Sequence, residues 1–368
     1  MYQVLACGSN GSYQLAQNND EDQRKLNPCL FRHEGEEPTF TNTIEYRPIK
    51  VACGGNHTLI LLENGVVYSC GDNEFGQTGR PDGILAVPVF TRITPVQNKI
   101  IDISCGWDYS FLLTEQNELY ACGQGLKGEL GLGNDVSVAS SPKLVIRFDA
   151  KVCKIRTVVN HTIVQTDEGK LYGWGNCRKG QLGTVNKELV KRGAVWQPIE
   201  LDFGIPHVDT FELGREFTII STSDTFHIFG KSTIDIYKLR DQVDSGEWMD
   251  TMWSSVHFKT HNTIKSFGTN THGQLYNYDS IGEDFEFVVG SEHGLLKRGS
   301  IVYAWGWGEH GNCGEMNRCK SEIRDDSCEM ESKDDDITFD YLNVLYDGPD
   351  KVVMIAGGCA TSWIVIEK

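Results

Sequence analysis

The sequence contains no long apolar run and has little proline. No segment holds the roughly 18 consecutive apolar residues of a membrane-spanning helix, and the opening MYQVLACGSNG lacks the basic and apolar regions of a secretory signal. We therefore expect an intracellular protein, cytoplasmic with the nucleus as a second location. Only 10 of the 368 residues are proline, whereas 39 are glycine. This combination indicates many tight turns rather than disorder.

Basic residues are also scarce. The 34 Lys and Arg residues are outnumbered by 51 Asp and Glu residues, which gives a net charge of −17 and a pI near 5.0. Such a surface repels phosphate backbones, so direct nucleic-acid binding is excluded as the main activity. Basic protein partners fit this charge better.

The cysteines lack the spacing of a metal site. The chain has twelve cysteines but no Cys-x-x-Cys pair, so it does not contain a zinc ribbon of its own. Cys7, Cys53, Cys70, Cys105 and Cys122 each directly precede a glycine. This regular placement indicates small buried side chains in a reducing compartment rather than a disulfide framework.

Two glycine-containing patterns alternate along the chain, seven times each. Pattern one is a short apolar strand, a turn with glycine and a second apolar strand, as in VACGGNHTLILL (51–62) and ISCGWDYSFLL (103–113). Pattern two is a strand that ends in glycine, followed by a loop that often contains Gln-Leu-Gly, as in LYGWGNCRKGQLG (171–183). FHIFG (226–230) is a copy of pattern two without its loop.

Each pair of patterns predicts one antiparallel sheet, because pattern one supplies two strands and pattern two the third. Seven such sheets predict an all-β fold, a single seven-bladed β-propeller over residues 1–368. The chain starts with a pattern-two strand (4–7) and ends with a pattern-one hairpin (355–366). We therefore expect one blade to be shared between the two termini, which closes the ring and removes open sheet edges.

Three segments interrupt the repeat. Residues 17–48 are polar and are predicted to be a surface excursion. Residues 315–350 contain twelve acidic and four basic residues, which is typical of a solvated loop; the alternative is an acidic arm that steers a basic partner. Residues 231–243, KSTIDIYKLRDQV, are either a short helix or an extended excursion.

The direction of the strands predicts where a binding site would lie. Along a blade the chain reverses at each turn, so the pattern-one turn and the pattern-two loop lie at the same end. The residues that we expect at this rim, as a partner-binding site, are Asn56, His57, Trp107, Asp108, Glu292, His293, Trp307, Glu309 and His310. Exposed tryptophan with interspersed charge is the composition of a binding hot spot.

Several of these residues have a plainer interpretation. His57, His161 and His293 recur at one repeat position, which favours a hydrogen-bonding role over a ligand role. Trp363 is near the same rim but, like Trp174 and Trp305, it lies in a strand and is expected in the core.

The sequence shows no set of residues for catalysis or for holding a metal or cofactor. Glu309 and His310 have no third catalytic partner, and His310 with Cys313 is too small a set for a metal. Gly306-Trp307-Gly308 lacks the helix and the acidic residue of a dinucleotide site. We predict no catalytic residue, no metal ligand and no cofactor.

The glycine-framed repeats resemble the propeller family named for the regulator of chromosome condensation, across nearly the whole chain. Five stretches are similar to the branch of fungal alpha-tubulin suppressor and killer-toxin-insensitivity proteins: CGGNH (53–57), CGWD (105–108), GSEHG (290–294), WGWGEHGNCG (305–314) and GGCATSWIV (357–365).

That resemblance implies a seven-bladed propeller that is not an enzyme. It implies a heterodimer with a small zinc-ribbon protein, whose own cysteines hold the metal. The pair would serve Elongator-dependent modification of wobble uridine in transfer RNA, with Elongator as an indirect partner, and diphthamide synthesis on elongation factor two. The broader family implies an alternative, a guanine-nucleotide exchange factor for a small GTPase. Unlike the chromatin-bound branch, this acidic chain has no basic N-terminal tail.

Overall fold

Seven sheets make up the fold of this chain. The computed structural model describes residues 1–33, 39–80, 83–93, 96–276, 278, 281–282, 284–316 and 337–368. In chain order, the strands are β1 (Tyr2–Gly8), β2 (Gln23–Pro28), β3 (Phe31–His33), β4 (Thr39–Thr41), β5 (Pro48–Cys53), β6 (His57–Leu62), β7 (Val67–Asp72), β8 (Ala86–Arg92), β9 (Ile100–Cys105), β10 (Tyr109–Thr114), β11 (Glu118–Gln124), β12 (Val138–Arg147), β13 (Val152–Val158), β14 (His161–Thr166), β15 (Leu171–Asn176), β16 (Val190–Lys191), β17 (Ala194–Glu200), β18 (Thr210–Leu213), β19 (Phe217–Ser221), β20 (Phe226–Gly230), β21 (Met249–Thr251), β22 (Ser255–Lys259), β23 (Ile264–Gly268), β24 (Glu286–Val289), β25 (His293–Arg298), β26 (Ile301–Trp307), β27 (Thr338–Tyr346), β28 (Lys351–Gly357) and β29 (Thr361–Glu367). One 3-10 turn (Lys187–Leu189) and one helix, α1 (Ile236–Gln242), interrupt them.

The sheets are the blades of a β-propeller. Blade 1 is β5–β8 with β3 and β4 at its outer edge, blade 2 is β9–β12, and blade 3 is β13–β17. Blade 4 is β18–β20, blade 5 is β21–β23, blade 6 is β24–β27, and blade 7 joins β28 and β29 to β1 and β2. The first strands of neighbouring blades contact one another around a central channel. The predicted seven-bladed propeller is confirmed.

Blade 7 closes the ring with both ends of the chain. β1 pairs with β29 in an unbroken antiparallel register from Tyr2 opposite Glu367 to Gly8 opposite Thr361. The shared blade predicted from the terminal repeats is therefore present. Middle strands such as β6 and β10 are buried at every residue, because a blade is covered by a neighbour on each face.

A repeated hydrogen-bonded latch joins one blade to the next. The loop after the third strand of a blade offers one backbone carbonyl to donors on the following blade. Thr58 and Cys70 donate to the Gln14 carbonyl at 2.9 and 3.3 Å, and Ser110 donates to the Gln77 carbonyl at 2.7 Å. The remaining latches are Trp174 to Glu129, Thr218 to Gln181, Trp305 to Gln274 and Ser362 to Asn312. These latches explain why hydroxyl, thiol and indole groups recur beside the glycines.

Among the described residues, the seam between blades 4 and 5 has no such latch. Blade 4 has no Gln-Leu-Gly loop, and blade 5 carries Val256 opposite Phe267 where other blades carry a polar donor. After β20 the chain instead forms α1, whose N-terminus is capped by the Asp235 carboxylate. Leu239 of α1 is buried in an apolar cluster with side chains of blades 4 and 5. This resolves the two interpretations of residues 231–243 in favour of a short helix.

The two predicted insertions contain more regular structure than expected. Within residues 17–48, β2 is the outer strand of blade 7, and Cys29 and Phe31 are buried. Within residues 315–350, β27 pairs with β26 as the outer strand of blade 6. The prediction of loops is therefore wrong over these strands. Residues 317–336, with Cys319 and Cys328, lie outside the described residues.

The described part of the chain has no helix long and apolar enough to cross a membrane.

Candidate protein-binding face

One end of the propeller carries the turn between the first and second strands of each blade and the loop after the third strand. We call it the turn-and-loop face. The two features lie together, since the Asn56 carbonyl of an inner turn accepts the Asp72 amide of the third strand at 2.8 Å. The Asp108 carbonyl accepts the Gln124 amide in the same way at 2.8 Å. The predicted placement of turns and loops at the same end is confirmed.

The inner turns are tied to one another around the mouth of the channel. Gly55 donates its amide to the Trp107 carbonyl at 2.8 Å, and Trp107 donates to Val159 at 3.0 Å. Further round, Arg215 donates to Trp253 at 2.9 Å and Trp253 to Ser291 at 2.8 Å. The backbones of these turns are therefore held to their neighbours by hydrogen bonds along two arcs of the mouth.

Two tryptophans and an arginine lie at this mouth. Trp107 is 42% exposed, as predicted for a turn residue. Its ring lies 5.9 Å from that of the half-buried Trp253, centroid to centroid. The Arg215 guanidinium is 5.6 Å from the centre of the Trp253 ring. This group is apolar at its centre and charged at its edge, as at protein-binding hot spots.

Acidic side chains lie beside Trp107. Asp108 is half-buried, and burial first, then the negative charges of Asp72 and Glu74, raise the pKa of its carboxyl. Asn56, from the neighbouring inner turn, is also half-buried. The local charge at this part of the face is therefore negative.

Glu292 lies on the other side of Trp253. Its carboxylate accepts hydrogen bonds from Ser254 at 2.8 Å and from Gln274 at 3.3 Å. Burial raises its pKa, although these two bonds and the Arg215 charge oppose that shift. Glu292 is thus held as part of the wall of the mouth.

The loops around blade 6 hold a second group of predicted site residues. Trp307 is half-buried and stacks on His272, with centroids 4.4 Å apart and planes 10° apart. Glu309 is exposed, and His310 contacts the Asp22 carboxylate at 2.7 Å. Each contact joins the loops of neighbouring blades, so this group belongs to the outer part of the face.

The structure removes two histidines from the predicted site. His57 and His293 are buried, 1% and 0% exposed. His57 pairs through Nε2 with Ser110 Oγ at 2.8 Å, and His293 pairs with Ser362 at 3.0 Å. Burial lowers the pKa of His57 to about 3 and that of His293 to about 4. Both are neutral parts of the seams between blades, so a direct partner contact for them is wrong.

The prediction missed Trp253 and Arg215. Trp253 occupies the same turn position as Trp107, within MWSSVHF (252–258). That copy of pattern one has no glycine in its turn. The equivalence of Trp253 and Trp107 can therefore be found in the sequence only by counting residues from the flanking strands. Trp174, Trp305 and Trp363 are fully buried, as predicted for the core.

Among the described residues, no group of three or more His, Cys, Asp or Glu side chains is arranged to hold a metal ion. The ten cysteines in that part of the chain are free thiols. Burial raises the pKa of most of them, for example to about 12 for Cys122.

Comparison with known proteins identifies the repeat. Family models described as the regulator of chromosome condensation (RCC1) repeat match residues 3–61 and 64–113, and residues 49–77 and 100–129. An RCC1 repeat-containing protein of Schizosaccharomyces pombe is 30% identical over 390 aligned positions, which cover 99% of each chain. The Secretion-regulating guanine nucleotide exchange factor of Bos taurus is 26% identical over 85% of this chain, which spans 64% of that relative.

Solved structures show the same fold at lower identity. Prp20p of Saccharomyces cerevisiae, described with its binding to Gsp1p and histones, superposes with a TM-score of 0.74 at 17% identity, covering 100% of this chain and 92% of that one. Human WBSCR16 superposes with a TM-score of 0.54 at 17% identity, covering 100% and 99%. From the full-length similarity to the fission-yeast relative, this chain belongs to the RCC1 repeat family.

Proposed function

We propose that this chain is a non-catalytic regulatory propeller that binds a protein partner with its turn-and-loop face. The observation that carries the proposal is the exposed Trp107 against Trp253 and Arg215, on inner turns that are hydrogen-bonded to their neighbours. A rigid aromatic group binds with little loss of side-chain entropy. Carboxylates beside it add charge that selects the partner.

For the partner, we propose a small zinc-ribbon protein that carries its own metal. This rests on the resemblance of the stretches 305–314 and 357–365 to the alpha-tubulin suppressor branch. The pair would support Elongator-dependent modification of wobble uridine and diphthamide synthesis on elongation factor two. Asn56 and Asp108 near the mouth, and Trp307, Glu309 and His310 in the outer part of the face, remain proposed contacts.

The test is a binding assay with Trp107→Ala. Truncating a hot-spot aromatic costs about 2 kcal/mol or more of binding, which is roughly a 30-fold rise in Kd. We expect that rise for the zinc-ribbon protein loaded with metal, with little change in Tm. The matched control is Trp248→Ala, because Trp248 is 49% exposed but precedes β21 and so lies at the opposite end of its blade.

Two results would count against this function. One is the absence of any complex between the two proteins at micromolar concentrations. The other is an equal effect of both tryptophan variants, which would place the interface elsewhere.

A second candidate function is guanine-nucleotide exchange on a small GTPase. The observation in its favour is the relative named as an exchange factor, similar over 85% of this chain. A release assay with GDP-loaded GTPases separates the two functions. Faster GDP release in the presence of the chain would favour exchange activity, whereas unchanged release together with zinc-ribbon binding favours the regulatory function.

A further inference from the structure

The turn-and-loop face has a gap where blade 4 lacks its loop. Elsewhere this loop reaches over the next blade: Asn18 of the blade 7 loop donates to Pro88 of blade 1 at 3.0 Å, and Gly133 of the blade 2 loop donates to Trp196 of blade 3 at 2.9 Å. At the seam between blades 4 and 5 the chain turns into α1 instead, which leaves a notch of about 300 Å³. The residues that line it include the cations Arg215 and Lys231, the carboxylate Glu216, and Thr233, Trp253 and Thr269.

The notch carries two cations that contact no carboxylate of the described residues, although the charge of Arg215 also acts on Glu292. Within the described residues, neither Arg215 nor Lys231 has a carboxylate oxygen within 4.0 Å, and both side chains are exposed. The nearby carboxylates have other partners: Glu216 lies 3.9 Å from Lys179, and Glu292 accepts from Ser254.

The walls of the notch are fixed from both blades. The Lys231 amide donates to the Glu216 carbonyl at 2.9 Å, and the Thr269 amide donates to the Ser254 carbonyl at 3.2 Å. The hydroxyls of Thr233 and Thr269 are 3.1 Å apart, so they bridge the seam. Cations and hydroxyls thus surround one opening, with the Trp253 ring beside Arg215.

We propose that this notch receives an acidic side chain of the protein partner. Arg215 and Lys231 would bind its carboxylate, the hydroxyls of the wall would donate to it, and Trp253 would pack against its aliphatic part. The proposal rests on the proposed function of the turn-and-loop face. It adds that the turn-and-loop face recognises a carboxylate of the partner that lies next to an apolar group of the partner.

The charges favour a carboxylate over a phosphate group. A phosphate carries a charge of about −1.5 to −2 at neutral pH, and Glu216 and Glu292 lie close enough to repel it. A carboxylate carries a single negative charge, so Glu216 and Glu292 repel it less than they repel a phosphate.

The experiment uses the full chain and a fluorescein-labelled hexaglutamate peptide at low salt. We expect binding that weakens at least tenfold in Arg215→Met and in Lys231→Met. Lys297→Met is the control, because Lys297 pairs with Glu286 at 2.8 Å at the far end of its strand from the inner turns; this variant should bind normally. A hexalysine peptide should not bind the notch. Tm should hardly change in Arg215→Met and Lys231→Met, since both side chains are exposed.

Three outcomes would overturn the proposal. They are no binding of hexaglutamate, equal binding by the two notch variants and the control, or displacement of the peptide by inorganic phosphate at lower concentration than by glutarate. The zinc-ribbon complex measured with the same variants separates this proposal from the proposed function. If Trp107→Ala loses the complex and the notch variants keep it, the proposed function stands and the role of the notch is rejected. If the peptide binds but no complex with the zinc-ribbon protein forms, the notch stands as an acid-binding site and the proposed function is rejected.

Discussion

Substituting Arg156 by methionine should weaken the seam between blades 4 and 5. Arg156 of β13 lies in the channel, where its Nε is 2.5 Å from Glu212 of blade 4 and its Nη2 is 2.6 Å from Asp250 of blade 5. Lys154 also contacts Glu212 at 2.7 Å. The guanidinium therefore connects three inner strands next to the one seam that, within the described residues, has no loop latch.

The size of the effect follows from burial. Removing one partner of a buried ion pair typically costs about 3–5 kcal/mol. Here the Arg156 side chain is 35% exposed to the channel and Lys154 remains on Glu212, so we expect about 2–3 kcal/mol. Unfolding entropy is about 2.1 cal/mol/K per residue. Over this chain that loss lowers Tm by about 3–4 °C.

The loss of stability in Arg156→Met should also depend on pH. Burial, then the charge of Glu212, raises the pKa of Asp250, and Arg156 opposes this. Without Arg156 the folded state would bind a proton at the Asp250 carboxyl at higher pH than the unfolded state does. The free energy of unfolding of the variant therefore rises, relative to the wild type, as pH falls from 7.5 to 5.5.

Urea unfolding at these two pH values, with Lys351→Met as control, measures both effects. Lys351 forms a surface pair with Glu367 at 3.5 Å, which contributes at most about 0.5 kcal/mol. A loss in Arg156→Met no larger than in the control, or one that does not shrink at pH 5.5, would refute the reasoning.

Two further predictions concern the seams. His161 is fully buried with both ring nitrogens unpartnered, and burial lowers its pKa to about 3. The free energy of unfolding therefore decreases as pH falls below about 6.5, because the unfolded chain binds a proton at His161 that the folded chain does not. The variant His161→Phe, which places at this position the residue type of Phe217 in blade 4, should be more stable than the wild type at pH 5. Lower stability of the variant at both pH 5 and pH 7.5 would indicate overpacking instead. Gly76→Ala and Gly180→Ala share a positive φ, +84 and +83°, but only the first would place a Cβ 2.4 Å from the Ser140 backbone of the next blade. In urea unfolding, Gly180→Ala should lower the free energy of unfolding by about 1–2 kcal/mol, and Gly76→Ala should lower it clearly more. Equal losses would mean that the loop containing Gly76 does not pack on the next blade.

The blade count and the closure could be predicted from the sequence because they depend on short-range chemistry. Glycines mark most of the turns, and middle strands such as β6 and β10 are apolar at most positions, so the repeat is visible without any structure. Trp107 and the buried tryptophans followed from the same pattern, since turns are exposed and middle strands are covered.

The outer strands could not be predicted in this way. β12 and β27 lie at the edge of a blade, where exposed and buried residues alternate irregularly. Their formation depends on pairing with a third strand already in place, which no local signal in the sequence records. Likewise the burial of His57 and His293 depends on a hydroxyl of the next blade, about fifty or more residues further along the chain.

The altered seam connects the fold with the proposed function. A loop latch would both join blades 4 and 5 and cover the groove between them. With Val256 and Phe267 in place of the polar donors, the seam is instead held by the apolar cluster with α1 and, inside the channel, by Arg156. The helix and the channel ion pairs join the blades while leaving Arg215 and Lys231 exposed beside the half-buried Trp253. Within the described residues neither cation has a carboxylate oxygen within 4.0 Å. A partner that brings a carboxylate would therefore supply a contact that the missing loop does not.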